Sequence, residues 1–151
     1  MRSASAAAFL LFAALAGAGC GEDEGASDQF REGYNAAIER LNEVSTDLEE
    51  SGEEPTTKPG SEVAREFEQI ADAAAQTRAN LAELDPPAGA RDEFDALLAA
   101  IRDGVRNFRA AADAARAEDQ DRFGEAKQAL SESAEEINRA DDELKDAVES
   151  D

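Results

Sequence analysis

Apolar residues recur at helical spacing in four separate segments of the chain. In the first three segments most of them follow one another at intervals of four and three residues, which places them on one face of a helix. The first stripe is Phe30, Tyr34, Ala37, Leu41, Val44 and Leu48. The second is Val63, Phe67, Ile70, Ala74, Leu81 and Leu84, with Thr77 in its gap, and the third is Phe94, Leu98, Ile101, Val105, Phe108, Ala112 and Ala115.

The fourth segment has a seven-residue repeat. Its large members are Phe123, Leu130, Ile137 and Leu144, and the small residues between them are Ala126, Ser133, Ala140 and Ala147. Seven-residue periodicity favours left-handed, coiled-coil-like packing of nearly parallel helices. The small residues would let a neighbouring helix approach closely.

Residues that cap or break helices predict where these segments begin and end. Ser27 and Ser61 are placed to cap the first two helices. Residues 51–60 contain two prolines and two glycines and predict a loop. The second helix should stop before Pro86, which lacks an amide donor and disfavours helical geometry at Asp85. We expect Asp85 to cap the third helix, with Pro86 near its first position.

The third stripe would reach Asp119 and Arg122 if it continued, so we expect a tight turn at 118–120. Gly104 lies inside the third helix and would permit a close helix contact. Four amphipathic helices joined by short loops predict an all-α domain over 28–151, an antiparallel four-helix up-down bundle. The alternatives are a three-helix bundle with the first helix loosely attached, or a long helical hairpin in which the last two helices form one rod.

The beginning of the chain has a different pattern. Arg2 is followed by an uninterrupted apolar block at 6–16 and then by small residues at 16–19. The block is shorter than the roughly 20 residues that span a bilayer, but it has the length of a secretory signal segment. We therefore interpret residues 1–19 as a signal peptide. The stretch 16–18 also offers an A-x-A cleavage site, which would release a freely secreted protein.

The only cysteine, Cys20, directly follows this segment. The sequence Ala18-Gly19-Cys20 resembles the lipobox of bacterial lipoproteins, although Gly17 stands where that family usually has leucine. The resemblance implies that Cys20 is lipidated and becomes the new N-terminus. It implies anchoring to the extracytoplasmic face of the cell membrane. Residues 20–27 would then be the lipidated cysteine and a short acidic tether.

A second resemblance covers about 23 residues, "ANLAELDPPAGARDEFDALLAAI", at 79–101. This helix–DPP–helix segment is similar to one in small bacterial lipoproteins with helical-bundle domains. The resemblance implies the fold and the location, and it carries no active residues.

The charge and the missing residue types restrict the function. The chain has a formal net charge of −21, and loss of Arg2 leaves 14 basic and 36 acidic residues, a net charge of −22. Such a surface repels nucleic acid and favours a basic protein partner. The chain contains no histidine, and the mature protein would lack methionine and a free thiol. We therefore expect no haem, copper, zinc or di-iron site and no histidine-dependent catalysis.

Carboxylates are the one plentiful functional group. They cluster at 22–24, 49–54, 135–136 and 141–143. None of these clusters has the spacing of a known calcium loop, so we interpret them as solvated helix faces and expect no metal site. Pairs at i,i+4 such as Glu118/Arg122, Glu135/Arg139 and Asp141/Lys145 are typical of exposed helix.

The sequence thus predicts a lipid-anchored helical bundle without catalytic activity or cofactor. Its expected role is interaction or scaffolding at the cell envelope. A small-molecule-binding lipoprotein and a freely secreted helical protein are the alternatives.

Overall fold

The computed structural model describes the backbone of residues 24–52 and 58–150, and the side chains of 28–43 and 58–150. Over these residues the chain forms four helices and no strand: α1 (Glu24–Gly52), α2 (Gly60–Leu81), α3 (Arg91–Arg116) and α4 (Gln120–Ser150). A single 3-10 turn, Ala88–Ala90, precedes α3. The predicted all-α four-helix arrangement is confirmed.

Consecutive helices run antiparallel, with α3 between α2 and α4. The direction of α2 against α3 follows from the ion pairs Arg109–Asp72, at 3.4 Å, and Arg116–Glu68, at 2.6 Å. Asn107 of α3 contacts Ser133 of α4, and Gly104, which precedes Asn107, faces Ile137, which follows Ser133, so α3 and α4 are antiparallel as well. The chain turns back between α3 and α4, so the two helices do not form one rod.

The first helix packs on the other three through its described half. Gly33 lies beside the side chain of Leu84 at the end of α2, whereas Leu41 contacts the cluster that contains Ala74 and Val105 in the middle of the bundle. α1 is therefore antiparallel to α2. Residues 28–43 pack against the other helices, so the alternative of a loosely attached first helix is wrong for this part of α1.

The bundle has two ends, which we name after the connections they contain. The α2–α3 end comprises the first turns of α1, the connection at 82–90 and the last turns of α4. Its core is large: Phe30, Tyr34, Ala37, Ile38, Leu81, Ala90, Phe94, Leu97, Ala100, Ile101, Ala140, Leu144 and Val148 are all buried. Burial of this many apolar side chains is the main force holding the four helices together.

The α3–α4 end comprises the start of α2, the turn at 117–119 and the start of α4. Its described core consists of three buried alanines, Ala64, Ala112 and Ala115, with partly buried Val63, Phe67 and Phe123 against them. The ring of Phe67 packs edge-on against that of Phe123, with centroids 5.7 Å apart. Among the described side chains, this end therefore buries less apolar volume than the α2–α3 end.

The heptad seam of α4 faces the core, and most of its small residues are buried more deeply than its large ones. Ala126, Ser133 and Ala140 are buried, whereas the small residue Ala147 and the large residues Phe123, Leu130 and Ile137 are half-buried. Leu144 is the exception among the large residues, because it is completely buried. The small residue Ser133 lies where α3 approaches, as the sequence predicts, because Gly104 of α3 faces Ser133 and Ile137.

Two predicted helix starts are wrong. α1 begins at Glu24, so Ser27 does not cap it, and residues 24–27 are helical instead of part of a tether. α2 begins at Gly60 after Pro59, without a side-chain cap, so Ser61 lies inside the helix. The reason is that Pro59 occupies the N-cap position: its carbonyl accepts the amides of Glu62 and Val63, so the helix already begins at Gly60.

The connection after α2 also differs from the prediction. α2 ends at Leu81, and α3 begins only at Arg91, after the 3-10 turn that follows Pro87. Asp85 therefore caps no helix and instead forms an exposed ion pair with Arg91 at 2.9 Å. Pro86 and Pro87 delay the start of α3, because each proline disfavours helical geometry in the residue that precedes it.

The turn between α3 and α4 is where the sequence predicts it. Glu118 has a positive φ of 54°, its amide donates to Ala115, and the amide of Asp119 donates to Ala114. This is a Schellman motif, in which glycine usually occupies the left-handed position. Asp119 then caps α4, because its Oδ1 accepts the amide of Arg122 at 3.1 Å.

Candidate functional site

The predicted lipidation site, Cys20, lies outside the described residues. The structure begins at Glu24, so the signal peptide at 1–19, the cleavage position and the lipid on Cys20 remain predictions. The described part of the site is the start of α1, which follows Cys20 by four residues.

Within the bundle, the most unusual chemistry is a buried polar cluster of Tyr34, Asp141 and Lys145. The Tyr34 hydroxyl donates a hydrogen bond from α1 to Oδ1 of Asp141 on α4. The Lys145 ammonium donates to Oδ2 of the same carboxylate at 2.5 Å. Asp141 is only 2% exposed and Tyr34 only 1%, so the cluster joins the first helix to the last inside the core.

Burial raises the pKa of the Asp141 carboxyl above its ordinary value, although the Lys145 ammonium acts in the opposite direction. The nearby carboxylate of Asp142 adds to the rise. The cause is the loss of hydration, which disfavours the charged form. The hydrogen bond and the ion pair offset part of this cost, as buried charges require.

Sequence reasoning missed this cluster. Asp141 was interpreted as part of a solvated acidic group, and the Asp141/Lys145 pair as a feature of exposed helix. The pair forms, but Asp141 faces the core. The available signal was its register, because Asp141 lies four residues after Ile137 and three before Leu144, on the apolar face. A buried tyrosine also requires a partner for its hydroxyl.

The arrangement positions helices rather than presenting reactive groups. The ring of Phe30 packs between Tyr34, with centroids 5.8 Å apart, and Phe94, with centroids 5.4 Å apart. No substrate can reach the carboxylate in this conformation, because Tyr34 and Asp141 are almost completely covered. What the cluster provides is one defined contact between α1 and α4.

The carboxylate clusters at 135–136 and 141–143 do not converge. Glu135, Glu136, Asp142 and Glu143 are exposed, while Asp141 points inward. Among the described residues no group of three or more acidic, cysteine or histidine side chains could hold a metal ion. The clusters at 22–24 and 49–54 lie outside the described side chains.

Neither of the other two predicted i,i+4 pairs forms among the described residues. Arg139 contacts Glu136 at 3.5 Å and Glu143 at 3.9 Å instead of the predicted Glu135. Glu118 lies in the turn and is therefore not a helical neighbour of Arg122. Exposed pairs of this kind contribute little to stability.

A surface depression of about 380 Å³ lies between α2 and α3. It is lined by Glu68, Asp72, Arg109 and Asp113, and its Arg109 is paired with Asp72. A site for an apolar small molecule is usually enclosed and lined by hydrophobic side chains. This charged depression has neither the lining nor the burial for such a ligand.

Comparison of the chain with protein-family models, with curated proteins and with solved structures finds no match in any of the three. Among the described residues, none of the helices combines the length and the apolar composition needed to cross a membrane.

Proposed function

We propose that the protein is a lipid-anchored bundle on the extracytoplasmic face of the cell membrane that acts as a non-catalytic interaction module. The anchor is a lipid on Cys20, added after cleavage of the signal peptide at 1–19. The four-helix domain presents its surface to a protein partner.

The observation that carries this proposal is the filled interior of the bundle. The small residue Ser133 of α4 lies against Gly104 of α3, and the aromatic rings of Phe30 and Phe94 fill the α2–α3 end. Among the described residues, Asp141 is the only charged side chain that is buried, and most of the others are exposed. Such a molecule is suited to recognition through its surface rather than through a pocket.

The charge supports a partner with basic character. The mature chain would carry 36 acidic residues against 14 basic ones, a net charge of −22. A surface of this sign attracts a basic protein by long-range electrostatics and disfavours nucleic acid. Raising the ionic strength should weaken such an association, since salt screens exposed charges.

The proposal is tested at Cys20. Mass spectrometry of the mature N-terminus should find a diacylglycerol-modified Cys20, and Cys20→Ala should shift the protein from the membrane fraction to the medium or leave it uncut. A matched control is Ser27→Ala, which changes a residue near the anchor and should leave the protein on the membrane. An unmodified mature terminus at Gly19 would establish free secretion and contradict the anchor.

The interaction role is tested separately. Cross-linking in intact cells followed by solubilisation should recover the wild-type protein with a basic partner, and the yield should fall at high salt. Recovery of a bound small molecule with the purified domain, with no protein partner, would favour the ligand-binding alternative.

A further inference from the structure

Helix α3 differs in charge from the three other helices. Its sequence contains five arginines and five carboxylates, so it carries no net charge. By contrast, α1 contains eight carboxylates and two arginines, α2 four carboxylates and two arginines, and α4 ten carboxylates and four basic side chains. Because two copies of so acidic a chain repel each other, α3 is the helix through which two copies can meet with the least repulsion.

Four of these arginines lie on one exposed side of α3. Arg102, Arg106, Arg109 and Arg116 follow one another at intervals of four, three and seven residues, which places them on the same side of a helix. All four are exposed, whereas Ile101 is buried on the side that packs into the core. We name the exposed side the outer face of α3 and define it by Arg102, Asp103, Arg106, Arg109, Ala110, Asp113 and Arg116.

At the first end of this outer face, two guanidinium groups share one carboxylate. Arg102 Nε lies 3.3 Å from Oδ1 of Asp103, and Arg106 Nη1 lies 3.1 Å from the same oxygen. Arg106 is 69% exposed, whereas Asp103 is only 33% exposed. The guanidinium of Arg106 therefore shares its partner with another arginine and extends into solvent, where it can contact a second molecule.

At the other end of the outer face, two carboxylates share one guanidinium group. Arg116 contacts Glu68 of α2 at 2.6 Å and Asp113 of α3 at 3.1 Å. Asp113 is 69% exposed, as much as Arg106. The carboxylate of Asp113 is thus the counterpart of the guanidinium of Arg106: each shares its partner with a second group of its own sign, and each is open to solvent.

These two side chains are placed for a two-fold contact between copies. Arg106 and Asp113 are seven residues apart, which is about two turns and about 10.5 Å at 1.5 Å per residue, so they lie on the same side of α3. In an antiparallel pair of α3 helices whose two-fold axis passes midway between them, Arg106 of each copy lies opposite Asp113 of the other. The same symmetry brings Asp103 of each copy opposite Arg116 of the other.

The middle of the outer face allows two helices to come close. The axis passes between Arg109 and Ala110. Ala110 is exposed and its side chain is a single methyl group, whereas the ion pair with Asp72, at 3.4 Å, directs Arg109 toward α2. A small side chain therefore lies where the two helices would be nearest to each other.

We infer that the outer face of α3 binds the same face of a second copy of this chain. The two α3 helices run antiparallel in an isologous contact, and Arg106 of each copy pairs with Asp113 of the other. The charge complementarity of the face with itself carries this inference, which goes beyond the proposed function and does not depend on the lipidation of Cys20.

The contact is weak and reversible. Exposed ion pairs within one chain contribute little to its stability, so their exchange for pairs between two copies costs little. A single pair of helices also buries less surface than the interface of a permanent dimer. Cross-linking is therefore the appropriate measurement, because it captures a complex that dissociates quickly.

The test places a thiol on the outer face of α3. Ala110→Cys lies beside the two-fold axis, and Ala96→Cys is the matched control, an exposed alanine of the same helix. In the proposed pair the two copies of residue 96 are about 40 Å apart along the helices, at 1.5 Å per residue. The full chain is expressed in a bacterium, cells and medium are treated with a short bismaleimide, and dimers are separated on denaturing gels. The unsubstituted chain measures the background from Cys20.

We expect Ala110→Cys to give about fivefold more dimer than Ala96→Cys, since only the first pair of thiols is adjacent in an antiparallel pair of helices. Equal yields from the two variants would mean random collision or a parallel pair, and a yield at background for Ala110→Cys would mean that the copies do not meet through this face. A product that contains another protein in place of the second copy would assign the face to a different partner. Each of these results overturns the inference.

Charge reversal in the Ala110→Cys chain tests the pairing itself. Arg106→Asp places two carboxylates opposite each other and Asp113→Arg places two guanidinium groups there, so each change should lower the dimer yield about threefold or more. The two changes combined in one chain should restore the yield, because opposite charges face each other again between the copies. Within one chain the two positions are two turns apart, so this rescue reports on the contact between copies.

Two results of the charge reversal contradict the pairing. If either single change leaves the dimer yield as it was, or if the combined change is as low as the single ones, Arg106 and Asp113 do not form the contact. Circular dichroism verifies that every variant is folded. The dimer yield is measured in cells and in medium alike, so failure of the proposed anchor at Cys20 leaves this test intact.

Discussion

The two ends of the bundle are closed by different means. The α2–α3 end buries three aromatic rings, those of Phe30, Tyr34 and Phe94, and the carboxyl group of Asp141. The α3–α4 end, over its described side chains, has an alanine core and half-buried phenylalanines, and its chain reverses through a Schellman turn at Glu118. Packing of large side chains therefore holds the α2–α3 end together, whereas the α3–α4 end depends more on the backbone geometry of its turn.

The difference teaches how a chain with few aromatic residues can still specify one arrangement. Large apolar side chains supply stability where α1 joins the bundle, and the buried Tyr34–Asp141 contact gives that helix one defined position. Where the core is thin, the geometry of the turn and the close approach of α2 to α3 replace side-chain volume. The following experiments test this contrast, from the largest expected effect to the smallest.

The largest effect should come from removing an aromatic ring at the α2–α3 end. Phe94 is 3% exposed, so Phe94→Ala should reduce the free energy of unfolding by about 3–5 kcal/mol, the usual range for a buried phenylalanine. Phe123→Ala is the matched control at the other end. Because Phe123 is only half-buried, it should cost less than half as much in chemical denaturation followed by circular dichroism. Equal losses would mean that the two cores are equivalent.

The second effect concerns the contact between α1 and α4. Tyr34→Phe keeps the ring and removes the hydroxyl that donates to Asp141. We expect a loss of about 1.5–3 kcal/mol, as for other hydrogen bonds to a charged group. A double-mutant cycle with Asp141→Asn isolates the contact. If the two changes are simply additive, the hydrogen bond does not contribute to the position of α1.

The sequence predicted the packing faces of the helices better than their starting residues and the buried polar contact. Apolar spacing located the four helices, because each stripe must face the core whatever the details of packing. The same spacing placed Asp141 on the apolar face of α4, but residue type was given more weight than register. The helix starts at Glu24 and Gly60 were missed because neither has a side-chain cap of the usual kind. The partner of Tyr34 lies 107 residues away, and one sequence does not reveal such a pairing.

The third effect comes from the close approach of α2 to α3 at the α3–α4 end. A Cβ at Gly60 would lie 2.4 Å from the backbone oxygen of Ala115, so Gly60→Ala forces the two helices apart. Overpacking of this kind costs about 1–3 kcal/mol. The control is Gly124→Ala in α4, where nothing lies within 4 Å of the new Cβ.

The control should behave oppositely, because alanine favours a helix by up to about 1 kcal/mol over glycine. Thermal unfolding should therefore show a lower melting temperature for Gly60→Ala and an equal or higher one for Gly124→Ala. If both substitutions raise the melting temperature, close backbone fit does not hold this end together.

A smaller effect is the pH dependence that the buried carboxylate introduces. The pKa of Asp141 is raised in the folded protein by burial, so the folded state keeps this proton at a pH where the unfolded state has lost it. Lowering the pH from 7 toward the unfolded pKa of about 4 therefore favours folding, and below that pKa the gain is constant. Because the Lys145 ammonium opposes the effect of burial, the change should be smaller than the loss caused by Tyr34→Phe.

The measurement is a difference, because many surface carboxylates titrate over the same range. The melting temperature of the wild type is compared with that of Asp141→Asn at each pH, so that the background common to both proteins cancels. The stability of the wild type relative to the variant should improve as the pH falls. A constant difference between pH 7 and 4 would show that Asp141 titrates as it does in the unfolded chain.

The smallest effect is a gain in stability at the Schellman turn. Glu118 adopts a φ of 54°, a region that disfavours residues with a Cβ, so Glu118→Gly should raise the free energy of unfolding by about 0.5–1 kcal/mol. Glu118→Ala removes the same side chain without relieving the backbone and should give no such gain. At the other end, Ala82 closes α2 with a φ of −64°, and there Ala82→Gly should destabilise, because glycine adds freedom to the unfolded chain and relieves nothing in the folded one. A gain in the free energy of unfolding for Glu118→Gly together with a loss for Ala82→Gly would establish that backbone geometry limits stability at the α3–α4 end alone. A loss for both variants would contradict the contrast between the two ends.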